Sequence, residues 1–191
     1  MPVSADRLPP GQYEARGWPV LDFGGVPRKD VASWTFRLHG AVAEPKELAL
    51  EEFKALADAD VRADFHCVTK FSVFDNEWHG VATRTVIGLV DLLPGVSHVI
   101  VEAAEGYTAN FPLDVFADND CLFTWRRNGE DLTPEHGWPL RLIVPKRYAW
   151  KSVKWATGVE FLVGDRRGFW EERGYHNDAD PWREQRYSYQ E

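Results

Sequence analysis

HGWPLRLIVPKRYAWKSVKW, residues 136–155, sets a short hydrophobic strand between two prolines and places an arginine inside it. An arginine in a β core is costly unless it meets an anion. Past Arg141 and a turn come Lys151, Ser152 and Lys154. A guanidinium, two ammonium groups and a hydroxyl are the donors that a phosphate or another polyanion requires. Solvated charges on alternate strand faces would give the same local pattern, so these residues alone leave both readings open. A basic cluster is nevertheless informative in a chain of formal charge -8.

Outward from this stretch, the pattern is mostly two-fold. WTFRLHG (34–40), VRADFHCV (61–68), SHVIVEAA (97–104) and GYTANFP (106–112) predict strands, and WKSVKWATGVEFLV (150–163) one or two more. CLFTWRRNGEDL (121–132) predicts a strand running into a turn at Asn128-Gly129. LALEEFKALA (48–57) has helical spacing, TRTVIGLV (83–90) predicts a short helix with Thr83 as N-cap, and LDVF (113–116) a single helical turn. Helices and strands do not alternate regularly, which predicts an α+β domain and not a doubly wound sheet. Residues 1–191 are expected to form a single domain. Residues 1–30, rich in Pro and Gly, are expected to wrap it as extended coil, and residues 165–191 to form an aromatic C-terminal arm.

Composition excludes several classes. The acidic balance and a pI near 5.3 argue against a nucleic-acid partner. Two cysteines, Cys67 and Cys121, exclude a disulfide-rich scaffold and favour a reducing compartment. No signal-peptide core and no run long enough for a membrane span is present, so a cytoplasmic location is expected.

The second informative stretch is ADFHCVTKFS, residues 63–72. Its apolar run stops at Cys67, which places the thiol at an edge, and the ammonium of Lys70 three residues on would favour the thiolate, the form that ligates metals. A cysteine can equally be a small buried hydrophobe, and Cys121 is read that way. The six histidines are scattered without HExxH or CxxC spacing, which argues against a multi-ligand zinc site. A cysteine–histidine nucleophile pair stays open. The tail GFWEERGYHNDADPWREQRYS, residues 168–188, could carry Tyr175 and His176 into a pocket.

Taken in order, these three blocks resemble the molybdopterin-binding domain of the sulfite oxidase family, in its small stand-alone prokaryotic form. The resemblance runs from about residue 15 to the C-terminus, and the HG-x-P-x-R…K-S-x-K-W pattern is its most specific part. It implies a mixed-strand α+β fold that binds molybdenum-molybdopterin. The family's thiolate ligand to the metal falls on Cys67, a donor suited to molybdenum alongside the pterin's sulfurs. Its cofactor contacts fall on His136, Arg141, Ser152, Val153 and Lys154, and by position on Trp18, Leu21 and Asp22 in the N-terminal coil. Tyr175 lies where sulfite oxidases keep a tyrosine near the metal. Cys67, Tyr175 and Lys70 are the expected catalytic set, with Trp78 and His79 as further candidates on the substrate side.

The chain departs from sulfite enzymes in having VTKFS after the cysteine where a more basic run would hold an oxyanion, and Arg16 stands one residue out of register. PVLDFG and KSVK are similar to the methionine-sulfoxide reductase branch. The expectation is therefore an oxidoreductase that moves an oxygen atom to or from a small substrate and exchanges electrons with a separate partner. A cofactor-binding module without turnover and a metal-free cysteine-dependent enzyme are the alternatives.

Overall fold

The structure is a computed structural model that describes residues 7–28 and 30–191; residues 1–6 and 29 of the expected N-terminal coil lie outside it. Among the described residues, eleven strands form two sheets, accompanied by three short α-helices. In chain order the strands and helices are β1 (Tyr13–Glu14), β2 (Thr35–Gly40), β3 (Lys46–Ala49), α1 (Leu50–Lys54), β4 (Ala59–His66), β5 (Phe71–Ala82), α2 (Thr83–Ile87) and β6 (His98–Ala103). Then follow β7 (Thr108–Pro112), α3 (Leu113–Phe116), β8 (Leu122–Arg127), β9 (Glu130–Asp131), β10 (Arg141–Ile143) and β11 (Ala156–Leu162).

The first sheet runs β1-β5-β8-β10, with β4 also paired to β5 and β9 to β8. The second runs β3-β2-β11-β6-β7, and β2 and β11 pair in parallel. The main core lies between them. Phe36, Phe53 and Phe123 meet there with ring centroids 4.4, 4.9 and 5.8 Å apart. Each such buried ring contributes ~1.5–3 kcal/mol relative to exposure. A second cluster of Phe65, Cys67, Phe71, Trp78 and Ile143 includes residues of β4, β5 and β10 in the first sheet, and Trp18 packs against it. Burial through Leu122–Trp125 and Arg141–Ile143 shows the first sheet covered on both faces.

Most predicted strands are present, and Asn128 and Gly129 take the positive φ values (51° and 82°) of a type I′ turn. The helix expected over 48–57 is shorter, because Leu48 and Ala49 pair with Phe36 and Thr35 in the β2–β3 ladder. Thr83 is the first residue of α2 and not its cap: Ala82 takes that position, and the Thr83 hydroxyl donates to the carbonyls of Phe116 and Cys121. The longest strand, β5, has no clean alternation in the sequence. Its register shifts at Ala63/Phe65 against β4 and at His79/Gly80 against β8. At Gly80 a Cβ would sit 1.9 Å from the Phe123 carbonyl oxygen, so only glycine permits that approach.

Candidate cofactor site

A cavity of about 350 Å³ opens where the N-terminal coil, the β4–β5 turn, the segment 136–141, residues 149–155 and the C-terminal arm converge. That is the size of a small-ligand or cofactor pocket. Trp18, Leu21, Asp22, Cys67, His136, Arg141, Ser152, Val153, Lys154 and Tyr175 all line it.

Arg141 is 3% exposed and has no carboxylate partner among the described residues. Its Nη1 donates to the His136 carbonyl at 2.8 Å, its Nε is buried without a partner, and its guanidinium lies 5.0 Å from the rings of Trp18 and Phe65. Burial pulls its pKa down to about 9. An aromatic-walled cation with an unused donor, facing a cavity, is configured for an anion.

Gly137 brings Arg141 and Lys154 together. Its φ is +109°, and a Cβ there would stand 3.2 Å from the Cβ atoms of both Arg141 and Lys154. The motif glycine thus serves both backbone conformation and close approach. Lys154 Nζ donates to the carbonyls of Leu21 and Glu135, each at 2.6 Å. Burial, then the nearby Arg141 charge, lower its pKa to about 8. His136 stacks on Trp18 at 4.0 Å. Its Nε2 meets the Trp18 carbonyl at 3.2 Å, so Nε2 carries the proton and Nδ1 accepts from the Thr133 hydroxyl at 3.1 Å. Ser152 Oγ accepts from the Val144 amide at 3.0 Å.

Cys67 is a free, buried cysteine at the mouth of the β4–β5 turn. Burial pushes its thiol pKa up; the Thr69 hydroxyl, which donates to Sγ at 3.2 Å, and the charges of Arg141 and Arg186 push it down. Lys70, expected to tune this thiol, is exposed and outside the cavity lining. Cys67 packs in one apolar cluster with Phe65 and Phe71, and Trp150, Trp170 and Tyr175 line the same cavity. Tyr175 contacts Trp150 and Trp170 at 5.0 and 5.1 Å, and burial raises its pKa, so its phenol stays protonated at neutral pH.

Several expected neighbours are elsewhere. Lys151 turns away from the cavity, is 1% exposed, and pairs with Glu171 at 2.8 Å and with Asn110. It ties the C-terminal arm to the second sheet and is not part of the anion cluster. His176 is buried, with Nδ1 accepting from the amides of Asp178 and Ala179, and does not line the cavity. Trp78 packs edge-on against Trp18, and His79 pairs with Asp60 in a separate recess. Arg16 is exposed. Tyr107, Trp155 and Phe169, which no local pattern singles out, also line the cavity. Among the described residues, no cluster of three or more His, Cys, Asp or Glu side chains is placed to hold a metal ion. Within the cavity lining Cys67 is the one sulfur-bearing side chain, in the same cavity as Arg141 and Lys154, and such a set would suit a metal carried by an anionic, sulfur-bearing cofactor.

Fold and site together define a mixed two-sheet domain with a cavity whose lining suits an anionic cofactor. Residues 23–170 match the family model described as oxidoreductase molybdopterin binding domain, and the chain belongs to that family. Its cofactor is molybdenum-molybdopterin. The chain is 41% identical to the uncharacterized oxidoreductase YuiH of Bacillus subtilis, over 96% of this chain and 93% of that protein. It is 28% identical to a nitrate reductase [NADPH] of Mycosarcoma maydis, over 74% of this chain but only 18% of that enzyme. The sulfane dehydrogenase SoxCD of Paracoccus pantotrophus shares the fold with a TM-score of 0.66 at 19% identity, over 73% of this chain and 41% of that one. No helix among the described residues is long and apolar enough to cross a membrane.

Proposed function

We propose that this protein is an oxygen-atom-transfer oxidoreductase acting on a small substrate and exchanging electrons with a separate partner. Cys67 is its thiolate ligand to molybdenum; His136, Arg141, Ser152, Val153 and Lys154 hold the pterin and its phosphate, and Trp18, Leu21 and Asp22 cover it. When bound, the cofactor supplies two-electron redox chemistry at the metal. The chain's part is to bind, orient and exclude water. Arg141 and Lys154 neutralise the anionic end in an apolar, aromatic-walled cavity where their charges act strongly. Tyr175 presents a protonated hydroxyl on the Cys67 side, available to donate a hydrogen bond to substrate. Both cysteines are free, in keeping with a reducing compartment.

The observation that carries this reading is the buried Arg141, with its unused Nε, in the same cavity as Cys67. Protein from a molybdenum-replete, cofactor-competent host should contain about one molybdenum per chain, and Cys67→Ser should lose it. Turnover of oxyanions, sulfoxides or N-oxides with a reduced dye then separates an enzyme from a binding module. Absence of molybdenum from such a preparation overturns the proposal.

A further inference from the structure

We infer that Arg186 and Gln12, from opposite ends of the chain, are positioning residues that hold the Cys67 turn in its strained form. This rests on Cys67 being the metal ligand. The turn joins β4 to β5 by two backbone bonds, Cys67 N–H to the Phe71 carbonyl at 2.8 Å and Lys70 N–H to the Cys67 carbonyl at 3.0 Å. It closes on Lys70 at φ +80°, a conformation that glycine takes readily and a lysine rarely does. Such strain persists where the surroundings over-determine the backbone, and here they do.

The Cys67 carbonyl also accepts from Gln12 Nε2 at 3.1 Å, the Val68 carbonyl from Arg186 Nη1 at 2.5 Å, and the Lys70 carbonyl from the Tyr13 amide at 2.8 Å. Thus three of the turn's four residues are gripped from outside, by segments 55 to 118 positions away in sequence.

Arg186 is an expensive way to make such a bond. It is 7% exposed, its Nε is buried without a partner, and its nearest carboxylate, Glu184, stands 3.5 Å off and is half-exposed. Its second terminal nitrogen donates to the Pro10 carbonyl at 3.3 Å, and its face lies over Tyr148. A buried guanidinium spent on two main-chain carbonyls gains little stability for its desolvation. What it secures is geometry: N-terminal coil, cysteine turn and C-terminal arm become one unit, aiming Sγ at the cavity.

The test is alkylation of Cys67 by iodoacetamide in full-length, cofactor-free protein, followed by mass spectrometry with buried Cys121 as internal reference. Arg186→Ala should speed alkylation about tenfold, the opening expected from losing one hydrogen bond to a charged donor. Gln12→Ala should do so more weakly. Arg186→Lys, which can still donate to the Val68 carbonyl, should stay near the wild-type rate. In loaded protein, the paramagnetic-resonance signal of the one-electron-reduced molybdenum should shift in Arg186→Ala and return in Arg186→Lys. An unchanged rate and signal in Arg186→Ala, an equal rise at Cys121, or a lysine variant no better than alanine would each overturn the inference. Should Arg186→Ala not fold, the Gln12→Ala and Arg186→Lys rates decide. If Cys67→Ser keeps its molybdenum, the ligand assignment fails while the alkylation result still judges the clamp.

Discussion

Replacing Arg141 with methionine should make the cofactor-free protein more stable and the loaded protein scarce. The guanidinium is buried with no carboxylate beside it among the described residues, and its fall to a pKa of about 9 corresponds to roughly 5 kcal/mol of disfavoured charge, at 1.36 kcal/mol per pH unit. At neutral pH the group stays protonated, so that cost is present in the folded state. Against it stand one hydrogen bond to the His136 carbonyl, ~1.5–3 kcal/mol for a charged donor. Two cation–ring contacts, to Trp18 and Phe65, contribute ~0.5–2 kcal/mol each. Methionine keeps most of the volume and removes the charge, and replacement of buried ionic groups by apolar ones commonly stabilises by ~1–4 kcal/mol. A net gain of ~1–2 kcal/mol raises the midpoint of thermal unfolding by roughly 2–8 °C in a domain of this size. The same substitution removes the cation proposed to hold the cofactor's anionic end, so molybdenum content should fall at least about tenfold, the equivalent of ~1.4 kcal/mol. Calorimetry of cofactor-free protein and elemental analysis of loaded protein read the two effects separately. A cofactor-free Arg141→Met that melts several degrees lower, or a loaded one with full molybdenum, would refute the reasoning.

Gly137→Ala forces a side chain into φ +109° and against Arg141 and Lys154 at 3.2 Å; strain and overpacking of ~2–4 kcal/mol should lower the thermal midpoint and also deplete the cofactor. A midpoint unchanged from wild type would show that the two basic residues do not depend on that approach. His66 is buried, its Nδ1 2.8 Å from the Ser72 hydroxyl, and burial lowers its pKa to about 4. Between pH 6.5 and about 4 the unfolded chain therefore binds a proton that the folded chain does not, and stability falls as pH falls through that window. His66→Gln should flatten this part of the stability–pH curve by up to ~3 kcal/mol, checked by urea unfolding at pH 7 and pH 4.5; an equally steep curve in the variant would place the acid sensitivity elsewhere.

The strands with clean two-fold alternation were legible because one buried face dictates the pattern, as in β2, where Phe36 and Leu38 turn inward. β5 was not, since two register shifts and a glycine demanded by the Phe123 backbone interrupt its alternation. The same division runs through the site. Arg141, Ser152 and Lys154 could be picked out because a short strand and a tight turn keep them close in sequence, but by themselves they left an anion site and solvated charges both open, and it was the family resemblance that favoured the first.

The sequence by itself determined the class of the protein and the chemical types of its key groups: one edge cysteine, a basic cluster with a glycine, and aromatic terminal segments. Only the tertiary structure decided which of those groups share a cavity. It sent Lys151 to Glu171 and left Lys70 in solvent, and it drew Arg186 and Gln12 onto the cysteine turn. The physical reason is distance along the chain. Local spacing fixes which way neighbouring side chains point, whereas partners twenty or more residues apart are selected by how the two sheets and the terminal segments pack, and no short pattern records that.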